Sequence, residues 1–271
     1  MRPLYPAFTA AMFLASLACL RHARGDREAV TVYATSVAYG LVLEKATIVA
    51  FHAYSYPTSE YLVAFAGVPL AIGLGWSAVI YAGLATARGL DLPRVAVPGF
   101  VALYALHVDL AMDAVAIRVP YWTWAGPGPW FGVPLGNFFG WFAVASLFAA
   151  TFEVAWRRLS NRLAVAAVVL VGSLVGLRAG LEAWVRVATT DARGAALLVA
   201  LGAGAAALVA WRRPREFGRP PRVALYATLV FHLFFVGVSL YGGYYRATPA
   251  LAVVGLGLLG VGLAVHVLPG E

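Results

Sequence analysis

The chain has 271 residues, of which 62% are hydrophobic and 12% charged, with a mean hydropathy of +0.81; a water-soluble fold could not bury so much apolar surface, and the composition is that of a polytopic membrane protein. The formal charge of +8 does not point to nucleic acid, because all but one of the 20 basic residues are arginines, grouped mainly in short turns between apolar runs rather than on an interleaved basic face. The single cysteine, Cys19, excludes an intramolecular disulfide and a cysteine-based metal site.

Apolar runs long enough to cross the roughly 30 Å hydrocarbon layer as helices lie at about 4–20, 29–52, 61–86, 95–117, 136–156, 163–185, 194–211, 223–243 and 248–267. Backbone groups cannot stay unpaired in lipid, and no period-2 alternation marks a barrel. The expected fold is therefore all-α, a single integral-membrane domain over residues 1–271 with eight or nine transmembrane helices. The first run is the shortest; with neither an extended basic region before it nor a small-x-small cleavage site after it, it reads as a retained helix.

Arginine placement orients the bundle. Alternate turns hold Arg21, Arg24 and Arg27; Arg88 and Arg94; Arg157, Arg158 and Arg162; and Arg212, Arg213, Arg215, Arg219 and Arg222. The other side has only Arg2, Arg118, Arg186, Arg193 and Arg246, a split of 13 to 5 that places the N-terminus outside and the C-terminus inside. Glycine-rich stretches at 202–204 and 255–262 read as close helix packing. The one extended connection, 118–135, is dense in Pro, Gly and Trp and is expected to form a structured aromatic cap on the outer side, between the fourth and fifth helices.

Charged groups inside a bilayer are costly, which makes each a functional candidate. In this orientation Glu44, Asp109, Asp113, Arg178 and Glu182 fall in the outer half, His107 and His232 near mid-depth, and His52 at the outer rim. Arg178 and Glu182, four residues apart, read either as a self-neutralised structural pair or as part of a site. Glu153, at the inner end of the fifth run, is expected to pair with Arg157 and Arg158, while His107 and His232 read first as satisfied core histidines. Lys45, the only lysine, points about 100° away from its neighbour Glu44.

Asp109 and Asp113 share one helix face, where two poorly solvated carboxyl groups should not both ionise. One is expected to keep its proton near neutral pH and to act as a Brønsted acid. Alternatively, Arg118 neutralises Asp113 and Asp109 is the acid. Close by in sequence follow Trp122, Trp124, Trp130, Phe131, Asn137 and Trp141, whose aromatic members read either as a substrate-binding surface or as an interfacial belt. No His-x-x-x-His or Glu-x-x-His spacing supports a metal, and no phosphate-binding, dinucleotide or nucleophile-elbow motif is present.

The segment DLAMDAVAIR, the following YWTW, and WFGVPLGNFFGWF resemble the signature of a membrane-integral carotenoid biosynthesis family that includes carotenoid hydratases and bisanhydrobacterioruberin hydratase. The family's Gly-Val-Pro-Leu-x-Asn-(Phe/Tyr)-x-Gly-Trp-Phe pattern is matched by 132–142, and upstream Glu44, Phe51, Tyr54, Tyr56, Val68, Pro69, Leu70, Trp76 and Tyr81 fall at matching positions. The resemblance covers about 40–145. Ala114 stands where the family has Pro, His52 where it has Gly, and 45–47 lacks the usual Gly after the acid.

The resemblance implies hydration of the terminal double bond of an acyclic carotenoid to a tertiary alcohol, without a cofactor. Asp109 and Asp113 would supply the proton. Tyr54, Tyr56, Trp122, Trp124, Trp130 and Trp141 would hold the tertiary carbocation at their ring faces, each contact worth roughly 0.5–2 kcal/mol, with Trp76 and Phe131 completing the substrate surface. Glu44 or His232 would take a proton from the attacking water, and Asn137 would orient that water. The implied partners are the carotenoid, the lipid bilayer and other membrane enzymes of the same pathway. Two other classes compete: a retinal-type photoreceptor, which needs Lys45 as its Schiff base, and a proton-coupled transporter or non-catalytic carotenoid carrier.

Overall fold

The computed structural model describes residues 4–214 and 216–268. Arg2 and Arg215, counted in the arginine asymmetry, lie outside these residues. The chain is built from α1 (Leu4–Ala23), α2 (Arg27–Phe51), α3 (Leu70–Gly89), α4 (Val97–Ala116), α5 (Leu135–Arg158), α6 (Arg162–Val187), α7 (Asp191–Arg212), α8 (Arg222–Tyr241), the four-residue α9 (Tyr244–Ala247) and α10 (Pro249–Val267). Among the described residues, all of these except α9 are long and apolar enough to cross a membrane, nine in number. This is a multi-pass membrane protein.

The helices start and stop where local chemistry directs. Asp26 caps α2 by accepting from the amides of Glu28 and Ala29, and Asn161 and Thr190 cap α6 and α7 in the same manner. Pro69, Pro134 and Pro221 stand at the N-caps of α3, α5 and α8, where a missing amide hydrogen costs nothing. α2 ends at His52 in the left-handed conformation, φ 51°. Glycine is the usual residue there, and here the His52 amide returns to the Ile48 carbonyl while Nδ1 of its ring lies 2.9 Å from the same oxygen.

The third expected run is corrected. Residues 61–69 are not helical: β2 (Ala64–Phe65) and β3 (Val68–Pro69) form a hairpin, and α3 begins only at Leu70. The turn residues Ala66 and Gly67 both have positive φ, 51° and 88°, as a tight two-residue hairpin requires. A second pairing joins β1 (Tyr54–Ser55) to β4 (Thr123–Trp124), tying the α2–α3 connection to the α4–α5 connection.

α3 is the most enclosed span, packing against α1, α2, α4 and α8, whereas α7 is the most exposed to its surroundings. Close approach of α2 and α3 is set by Gly40, where a Cβ would stand 2.7 Å from Trp76 Cβ, and Gly73, where it would stand 2.6 Å from Leu41 Cγ. The glycine-rich stretches expected to do this act only in part. Gly255 and Gly262 abut Tyr245 and Thr228, but a Cβ on Gly202, Gly204, Gly257 or Gly260 would meet nothing within 4 Å.

At the end of the bundle holding the α1–α2 and α3–α4 turns, Glu153 pairs with Arg88 at 3.4 Å and Arg94 at 3.8 Å, and Arg88 also pairs with Glu28. The expected local partners Arg157 and Arg158 are displaced because the preceding turns of the bundle bring cations across from α3 and the α3–α4 connection. Arg157 instead donates to the Glu153 carbonyl.

Candidate functional site

Glu44 lies about two turns before the end of α2, only 6% exposed. Its Oε2 accepts from the Tyr54 hydroxyl at 2.5 Å and the Tyr56 hydroxyl at 2.8 Å, and its Oε1 accepts from Trp76 Nε1 at 2.7 Å. The site thus surrounds this carboxyl group with three hydrogen-bond donors. Burial, and then the neighbouring Glu44 carboxyl, push the Tyr54 and Tyr56 phenols well above their ordinary value of 10.0, so both stay protonated as donors. Lys45, one residue on, is on the exposed face of α2.

The second acidic group is the α4 pair. Asp109 and Asp113 are 0% and 1% exposed, and Asp109 Oδ1 is buried without a hydrogen-bond partner. Asn137, in the first turn of α5, divides its amide hydrogens between them, 2.7 Å to Asp109 Oδ2 and 2.7 Å to Asp113 Oδ2. Two acceptors facing one NH2 group fix the amide's orientation. Pro134 is the reason Asn137 arrives there, since it starts α5 immediately before the side chain is needed. The alternative in which Arg118 neutralises Asp113 is not what the chain does: Arg118 donates to the carbonyls of Ala114 and Phe131.

Both acidic groups face one apolar cavity of about 520 Å³. Glu44, Tyr54, Tyr56, Trp76, Asp113, Trp122, Trp124, Asn137 and Trp141 all line it, and the Trp76 and Trp141 rings lie against each other at 4.2 Å between centroids. Asp109 stands one layer behind, reached through Asn137. Carboxyl groups on two walls of an apolar chamber, with indole faces between them, can donate a proton to a weakly basic apolar group and hold the cation that results.

Three residues expected at the site are elsewhere. His232 packs against His107, their rings 5.1 Å apart, and His107 borders a second cavity of about 390 Å³ among α4, α7 and α10. The residue of α8 that reaches the main cavity is Phe231, because one step along a helix turns a side chain to a different neighbour. Trp130 and Phe131 pack with Phe138 in a separate small core, and Trp130 Nε1 donates to the Leu110 carbonyl at 3.2 Å. The positive φ of Phe131 and Gly132, 52° and 100°, turns the loop back on itself and carries both rings away from the acids.

The sequence reading missed the α6 wall. Leu177, Leu181, Trp184 and Val185 line the cavity, with Phe8 and Met12 from α1. Trp184 stacks on Phe139 at 4.8 Å and lies against Gly136, where a Cβ would stand 3.1 Å from its indole nitrogen. The helical spacing of 177, 181 and 184, together with a glycine in the first turn of α5, is the signal that would have found it. Arg178 and Glu182 form an ion pair on the exposed side of the same helix. Among the described residues, no three His, Cys, Asp or Glu side chains gather as a metal site requires.

A family model described as "Carotenoid biosynthesis protein" matches residues 4–205. The match contains every helix that lines the main cavity except α8. Comparison with curated proteins gave no match, and comparison with solved structures gave none.

Proposed function

The chain belongs to the carotenoid biosynthesis protein family and acts in that process, and from this membership we propose that it adds water to the terminal C=C bond of an acyclic carotenoid. The observation that carries the reading is the pairing of Asp113, backed by Asp109 and Asn137, with the triply hydrogen-bonded Glu44 across one apolar, indole-lined cavity.

In this reading the protonated member of the aspartate pair delivers its proton through Asp113 to the terminal alkene, since Asp113 is the one that borders the cavity. The resulting tertiary cation rests against Trp76, Trp141 and Trp122, at roughly 0.5–2 kcal/mol per ring contact, and the negative charge of Glu44 opposes it. Water adds to the cation and loses a proton. His232 does not border the cavity, which leaves Glu44 as the base among the residues considered. Moving that proton from Glu44 back to the aspartates restores the starting state, and the net change is the gain of one water.

The arginine asymmetry supports placing the aromatic end of the bundle toward the outer face, with the N-terminus outside and the loop over the cavity acting as a lid. The reading is tested by expressing the chain in cells that accumulate acyclic carotenoids. A more polar pigment, heavier by one water, is the expected product. An unchanged pigment profile with the protein inserted in the membrane would sink the hydratase reading, and pigment that copurifies unaltered would favour a carrier using the same cavity.

A further inference from the structure

Where the cavity reaches α6, its wall is also the outer surface of the bundle: Val185 lines the chamber and is 64% exposed. The opposite edge of this gap is the last turn of α2, where Thr47 and Phe51 line the cavity as well, and the Arg178 guanidinium lies 5.3 Å from the centre of the Phe51 ring. A second opening lies beneath the exposed loop residues 125–127. That one leads past polar backbone, and the first is lined by Thr47, Phe51, Leu181, Trp184 and Val185, with the Arg178 guanidinium at its rim.

The chamber, about 520 Å³, has the size of a pocket for one drug-sized ligand. A carotenoid is far longer than such a ligand and almost wholly apolar. Only one terminal group and the first part of the chain fit, and the remainder must lie outside. Passing it beneath 125–127 would expose the polyene to water, whereas the gap between the ends of α2 and α6 opens sideways between two helices long and apolar enough to span a membrane.

We propose that the substrate lies in this lateral gap, its end group in the chamber and its polyene passing between Phe51 and Leu181, Trp184 and Val185 into the bilayer, so that each visit modifies one end only. This rests on the hydratase reading for the chemistry but on the cavity alone for the path. Water reaches the cation from the other opening. A substrate with two reactive ends must leave, reverse and return, and a product hydroxylated at one end is therefore a free intermediate.

The test uses the full-length protein reconstituted in lipid vesicles with a long acyclic carotenoid and, separately, a short isoprenoid bearing the same terminal group. Val185→Trp narrows the gap from an exposed position that tolerates bulk; Val171→Trp, also exposed on α6 at 63% and not lining the cavity, is the control. The expected result is a fall of about tenfold or more in the ratio of long to short substrate converted by Val185→Trp, with Val171→Trp unchanged and the one-ended product appearing in the lipid before the two-ended one. An unchanged ratio, or a two-ended product with no free intermediate, overturns the path. If wild-type protein converts neither substrate, the hydratase reading has failed instead. The path is then judged by carotenoid retained on purification, which Val185→Trp should reduce and Val171→Trp should not, and equal retention in both overturns it.

Discussion

Gly40 and Trp76 touch where α2 crosses α3, and the absence of a side chain at Gly40 is what lets the Trp76 indole reach Glu44 at 2.7 Å. A Cβ at this position would collide with the Trp76 Cβ, which belongs to the stem of the side chain and cannot swing aside. Gly40→Val is therefore expected to lower stability by about 1–3 kcal/mol and to remove most hydration activity. Gly204→Ala, facing open space within α7, should leave activity unchanged and hold or raise stability by up to about 1 kcal/mol. Thermal unfolding in detergent and pigment conversion measured on the same samples check both.

Asn137 supplies the side-chain amide that bridges the aspartates, and Asp113 is the member of the pair that lines the cavity. Asp113→Asn and Asn137→Leu are each expected to cut conversion by about 10²–10⁴-fold, the usual worth of a positioned proton donor. Glu153→Gln, at the opposite end of the bundle, weakens its ion pairs to Arg88 and Arg94 but should retain turnover. Equal loss of product in all three would identify a folding effect instead.

Gly140 lines the cavity, and a Cβ there would meet nothing within 4 Å. Gly140→Leu should fill space next to Trp141 without straining α5, so the expected outcome is normal expression and melting with conversion reduced by about tenfold or more. Retained turnover of the long carotenoid in Gly140→Leu would show that the reacting end does not occupy this part of the chamber.

The alkaline limb of stability should report the Glu44 cage. Tyr54 and Tyr56 have phenols raised above the ordinary 10.0 by burial and by Glu44. A raised folded-state value means that their contribution is complete below pH about 10 and is lost as the pH rises beyond it. Melting measured across neutral and alkaline pH should fall above that point, and Tyr56→Phe should flatten the fall relative to wild type. A parallel curve would show that Tyr56 is not linked to unfolding.

Much of this was legible from the chain. Nine spans follow from the length of the apolar runs, and the cost of an acid in lipid picks out Glu44, Asp109 and Asp113 directly. What was not legible depended on direction rather than identity. The hairpin at 64–69 rests on two positive φ angles within an otherwise apolar run. His232 and Phe231 differ by one step around α8, and only the packing of α8 decides which faces the cavity. Glu153 found its cations on other helices, a choice that sequence distance cannot reveal.

The β1–β4 pairing has a mechanical meaning. Tyr54 is a rung of that ladder, opposite Trp124, and at the same time a ligand of Glu44. Any motion that lifts the α4–α5 connection off the α2–α3 connection pulls on the strand that holds a hydrogen-bond partner to the Glu44 carboxyl group. The two loops are thus tied to the buried acid through one residue: separating them along this seam would also pull on the Tyr54 hydrogen bond to the Glu44 carboxyl group.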